Sequence, residues 1–138
     1  MKSKERIGIV GLIFLLALVA ITATASADTH DISGQTASFP GHVIQKSETL
    51  NYYPQAKGTT YFTMKCVMPY CGVNQKQAVV YFYWSSNASP NWTHWATKDY
   101  YNSLSVKLTS GSPDVRYKII IKNTSTLLPV KANIVFKK

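Results

Sequence analysis

Residues 115–122, VRYKIIIK, and residues 130–136, VKANIVF, decide the fold class. In the first, Val115, Tyr117, Ile119 and Ile121 alternate with Arg116, Lys118 and Lys122. In the second, Val130, Ala132, Ile134 and Phe136 alternate with Lys131 and Asn133, and Lys137 follows. Successive side chains of a β-strand point to opposite faces, so a period of two gives each segment one buried face and one wet face. A slip by one residue would bury the cations, which specifies the register strongly.

The same pattern extends towards the N-terminus. Leu104, Val106 and Leu108 alternate with Ser105 and Lys107, and Gly111-Ser112-Pro113-Asp114 turns the chain into the 115–122 segment. In residues 77–84, Val80, Phe82 and Trp84 share one face and Val79, Tyr81 and Tyr83 the other; Trp84 is expected in the core. Residues 59–67 place Phe62, Met64 and Cys66 together, and shorter strand signals occur at 42–46, 49–53 and 92–97. Seven or eight short strands with frequent turns, and no window of helical period, predict an all-β domain: a small antiparallel β-sandwich, with a small β-barrel as the alternative. If the last two strands pair as a hairpin, their lysines and Arg116 merge into one cationic face, which Lys107 extends from the preceding strand.

The first 27 residues follow a different rule. Lys2, Lys4 and Arg6 precede an apolar run from Ile7 to Ile21, and small residues lead to Ala25-Ser26-Ala27. That order predicts a cleavable signal peptide over residues 1–27 and a secreted protein, with the cell envelope as a place of association. The apolar run is shorter than the roughly 20 residues a spanning helix needs. Residues 28–138 then form one domain, and the polar stretch at about 28–38 reads as a loose N-terminal arm.

Charge narrows the partners. The chain carries 15 Lys and Arg against 6 Asp and Glu, a net charge of +9. Beyond residue 27 the only acids are Asp28, Asp31, Glu48, Asp99 and Asp114. An excess of this kind favours an anionic polymer, a polysaccharide, the cell envelope or a membrane surface. No nucleic-acid motif occurs, so nucleic acid is not an expected partner. Charge on strands also has a plain use, since lysines keep sheet edges from pairing with other chains.

The two cysteines, Cys66 and Cys71, are predicted to bond, because an exported chain meets an oxidising compartment. Val67–Tyr70 between them would be a rigid exposed loop, a candidate recognition loop of the protease-inhibitor kind. The aromatic residues Trp92, Trp95, Tyr100 and Tyr101 flank a polar loop and could stack on sugar rings. Asn87, Asn91 and Asn123 each fit the glycosylation acceptor pattern. No paired carboxylates, activated nucleophile or zinc-type cluster is legible, so neither an enzyme nor a cofactor is expected. Cleavage after Ala27 would leave His30 third from a free amine. That arrangement lets the amine, two amides and an imidazole surround one Cu(II) or Ni(II) ion in a plane.

These readings converge on a non-enzymatic basic binding protein for an anionic envelope polymer or polysaccharide. Lys107, Arg116, Lys118, Lys122, Lys131 and Lys137 would supply charge, and Trp92, Trp95, Tyr100 and Tyr101 would supply stacking. An antibacterial or membrane-active effector is the alternative.

Overall fold

In a computed structural model that describes residues 27–34, 36–69, 71, 74–86, 89–125 and 127–138, the alternating segments become nine strands. These are β1 (Ala27–Ser33), β2 (Ala37–Ile44), β3 (Ser47–Tyr53), β4 (Gly58–Cys66), β5 (Ala78–Ser85), β6 (Thr93–Tyr100), β7 (Ser103–Ser110), β8 (Arg116–Asn123) and β9 (Val130–Lys137). A first sheet has the order β1-β3-β8-β5-β6 and a second the order β2-β9-β4-β7. Neighbours are antiparallel except β1 and β3, which run parallel. Neither sheet closes on itself, so the fold is the sandwich and not the barrel.

The inner phases meet as one core. Leu50, Tyr52, Phe82, Ile119 and Ile121 of the first sheet, and Phe62, Met64, Leu108, Ile134 and Phe136 of the second, are fully buried. At the centre of the core, ring contacts cross between the layers: Tyr52 stacks on Phe136 with centroids 4.7 Å apart, and Phe62 meets Phe82 edge-on at 5.6 Å. Such pairs add about 0.5–1.5 kcal/mol beyond the area they bury. The Tyr52 hydroxyl escapes an unsatisfied burial by donating to the Gly34 carbonyl at 3.1 Å.

Two expectations change here. The stretch expected as a loose arm forms β1 and the start of β2. β1 sets Asp28 opposite Glu48 and Asp31 opposite Asn51. It is hard to see in sequence because its inner phase offers one buried apolar residue, Ile32, beside His30. Residues 1–26 of the expected signal peptide lie outside the described residues.

The second change concerns the closing strands. β8 and β9 belong to different sheets, so no hairpin joins them. The connection after Asn123 crosses from one layer to the other, and Asn123 ties it down. Its Nδ2 donates to the carbonyls of Leu128 at 2.7 Å and Gln45 at 2.9 Å. The side-chain amide of that glycosylation pattern is thus engaged in the fold, whereas Asn91 is exposed and Asn87 lies outside the described residues.

Cys66 and Cys71 are bonded at the end of β4. A ring of six residues removes little loop entropy, about 2 kcal/mol. A Cys66→Ser, Cys71→Ser double variant is expected to stay folded with a lowered Tm. Loss of the near-ultraviolet circular dichroism signal at room temperature would show that the core depends on the bond.

Candidate functional site

The outer face of the first sheet gathers the chemistry. The register sets Lys118 beside Asn51 and Tyr83, with His94 opposite Tyr83 on β6. Two residues along, Ile120 lies between Thr49 and Tyr81; two further, Lys122 lies between Ser47 and Val79. Residues of the outer phase therefore form adjoining rows across β3, β8, β5 and β6. Trp92, at the end of the loop before β6, folds over the end of this array.

Each cation of β8 lies against a ring. The Arg116 guanidinium is 4.6 Å from the centre of the Trp92 ring. The Lys118 ammonium is 4.7 Å from Trp92 and 5.0 Å from Tyr83, and Lys122 is 5.4 Å from Tyr81. A ring's electron-rich face attracts a cation by about 0.5–1 kcal/mol where water is present. The contacts also restrict these long side chains to fewer rotamers. Arg116 has a structural task as well: its guanidinium donates to the Ser89 carbonyl and holds the loop that carries Trp92. At the rim, Asp99 is 3.9 Å from Lys76.

The remaining predicted cations lie elsewhere. Lys107, Lys131 and Lys137 are in the outer phase of the second sheet, on the opposite side of the sandwich. There Tyr61 sits between Lys107 on β7 and Lys137 on β9, over a shallow depression of about 540 Å³. The single cationic face expected from phase alone is therefore two faces, because phase does not reveal which sheet a strand joins.

The stacking set divides too. Trp92 alone joins the cations of β8. Trp95 is the extra residue of a bulge in β6; its ring packs 5.5 Å from Phe82 and 5.9 Å from Tyr117 but remains 41% exposed. It lines a cleft of about 460 Å³ at the β6–β7 edge with Trp84, Lys107 and Val115; Trp84, expected in the core, is 39% exposed there. Tyr100 is fully buried, which corrects its expected stacking role. Its hydroxyl has no hydrogen-bond partner among the described residues, and burial pushes its pKa up to about 12. Tyr101 is exposed. In the disulfide loop, Met68 and Pro69 are exposed, and Tyr70 lies outside the described residues.

At the opposite edge, β1, β2 and β3 bring together three residues that stand apart in the sequence. His30 Nε2 is 3.1 Å from Glu48 Oε1, and His42 Nε2 bonds the other oxygen, Oε2. The two imidazoles are 5.5 Å apart and pack around the Phe39 ring. Residues three apart on a regular strand face opposite ways. A bulge at Pro40–Gly41 turns both Phe39 and His42 inward, with Gly41 at a φ of +59° that favours glycine. The hydrogen bond and charge of Glu48 raise the His42 pKa above the usual imidazole value, against the opposing effect of burial. The stabilisation from that pair is complete below the ordinary imidazole pKa and fades as pH rises through the raised value. A signal for this cluster was present: Glu48 shares the inner phase of Leu50 and Tyr52, and a buried carboxylate needs partners.

No protein-family model and no curated protein sequence matches the chain. Solved structures that resemble the chain include the following three. The pre-peptidase C-terminal domain of a Bacillus anthracis collagenase has 8% identity over 79% of this chain and 92% of that chain, with a TM-score of 0.43. The Yersinia pseudotuberculosis-derived mitogen has 13% identity over 74% and 80%, with a TM-score of 0.45. PliG of Aeromonas hydrophila, a periplasmic inhibitor of g-type lysozyme, has 12% identity over 80% and 97%, with a TM-score of 0.43.

Proposed function

We propose that this is a non-enzymatic binding protein whose outer first-sheet face docks on an anionic polysaccharide or envelope polymer. The observation that carries this reading is the set of four cation–ring contacts made by Arg116, Lys118 and Lys122 on that one face. Ammonium and guanidinium groups meet carboxylate or phosphate, while Trp92, Tyr81 and Tyr83 offer surfaces that are part apolar and part polar, as sugar rings require. A sheet face is also broad and shallow, which suits a polymer better than a small molecule buried in a cavity. The disulfide fits a location outside the cytoplasm. Among the described residues no helix is long and apolar enough to cross a membrane.

Retention on immobilised polygalacturonate tests the reading. The protein should bind at low salt and be released as sodium chloride approaches physiological strength and beyond, because the Debye length shortens to about 8 Å there. A neutral glucan column should retain it weakly. Dye-loaded vesicles of anionic lipid should stay intact. Leakage at protein concentrations that saturate the polymer would favour the membrane-active alternative, and absence of retention at low salt would remove the polymer reading.

A further inference from the structure

We propose that His30, His42 and Glu48 form a site for one divalent zinc-type ion that clasps β1 and β2 across the open edge of the sandwich. The donors come from three strands and both sheets: His30 from β1, Glu48 from β3 and His42 from β2. One ligand atom from each lies within 4.8 Å of the other two. Ligands bonded to one ion at about 2.0–2.1 Å in a tetrahedron are about 3.3 Å apart, so small side-chain movements close the site. The 3.1 Å separation of His30 Nε2 from Glu48 Oε1 is already near that value.

The chemistry of the donors selects the ion. Two imidazoles and one carboxylate suit Zn²⁺ and its neighbours, whereas Ca²⁺ and Mg²⁺ require more oxygen. Zn²⁺ has no geometric preference from its d electrons, so it accepts the angles that three strands impose and leaves a fourth position for water. Glu48 is only 2% exposed, and both of its oxygens face imidazole nitrogens. A divalent ion bound to all three would balance that buried charge and tie both imidazoles at once. The β2 bulge is an independent pointer, because without its extra residue Phe39 and His42 could not both face inward.

This site competes with the planar N-terminal chelate for the same imidazole. In β1, residues 28–30 are extended beside β3 and His30 Nε2 faces Glu48. The chelate would need those residues to leave the sheet and wrap around an ion.

Calorimetric titration of the chelator-treated protein with ZnCl₂ tests the assignment, alongside Co²⁺ as a spectroscopic substitute. One ion should bind per chain, raise Tm by several degrees and, as Co²⁺, give the intense visible bands of a four-coordinate site. His30→Ala, His42→Ala and Glu48→Gln should each weaken Zn²⁺ binding by more than the roughly 10–100-fold that a supporting neighbour costs. His94→Ala, on the far face, should bind as the parent does. Circular dichroism must show each variant folded; if Glu48→Gln fails, the two histidine variants decide. Zn²⁺ uptake that survives His42→Ala but not His30→Ala would assign the ion to the N-terminus and overturn the proposal. So would a folded parent that binds no Zn²⁺.

Discussion

Replacing Phe136 with alanine should lower the unfolding free energy by about 3–5 kcal/mol, the usual cost of removing a fully buried aromatic side chain. Domains of this size are stable by about 5–15 kcal/mol, so the loss takes a large share and lowers Tm by on the order of 10–20 °C. The reason lies in where the ring sits. Phe136 has no exposed surface, stacks on Tyr52 at 4.7 Å and tilts against Phe62 at 5.1 Å. One of these partners belongs to the opposite sheet and the other to the neighbouring strand, so the cavity opens where the layers meet. Val135, its neighbour on β9, faces outward and is only partly buried. Val135→Ala should cost within about 1 kcal/mol. Urea unfolding of both variants with unchanged m-values checks this. Equal losses for the two substitutions would show that the layers do not share the core described above.

Phase along a strand is a local property, and the sequence carried it well. The inner residues of β4, β5, β7, β8 and β9 were legible from alternation apart from Trp84, with Val80, Phe82, Ile119, Ile121, Ile134 and Phe136 fully buried. Partnership between strands depends on contacts far apart in sequence, and there the signal ended. Nothing local to residues 123–129 announces that the chain changes sheets, so Lys118 and Lys131 fell on one expected face and stand on two real ones. Tyr100 read as a stacking ring because it belongs to a group of aromatic residues flanking a polar loop, yet its own phase is inward. β1 was lost for the complementary reason: its inner phase includes a histidine whose partner, Glu48, lies eighteen residues away. A long-range polar contact replaced the apolar alternation by which strands are recognised.

The division of the cations into two faces supplies the sharpest test of function. Lys118→Gln, Lys122→Gln removes two charges from the first-sheet face; Lys107→Gln, Lys137→Gln removes two from the second. The variants have equal net charge, so any difference in retention on polygalacturonate reports location and not overall basicity. Two exposed contacts of up to about 1 kcal/mol each make the first double variant weaker by as much as about 30-fold. The second should remain close to the parent. Lys118 is the more informative of the first pair, because it is held between the rings of Trp92 and Tyr83. Trp92→Ala should therefore reduce retention without altering charge, by removing both a stacking surface and the ring that positions Lys118 and Arg116. Its salt dependence should keep the parent's slope, since no cation has been lost. If the two double variants lose retention equally, the polymer senses net charge alone and neither face is a site. If only the Lys107, Lys137 variant loses it, binding belongs to the second sheet, where those lysines flank Tyr61.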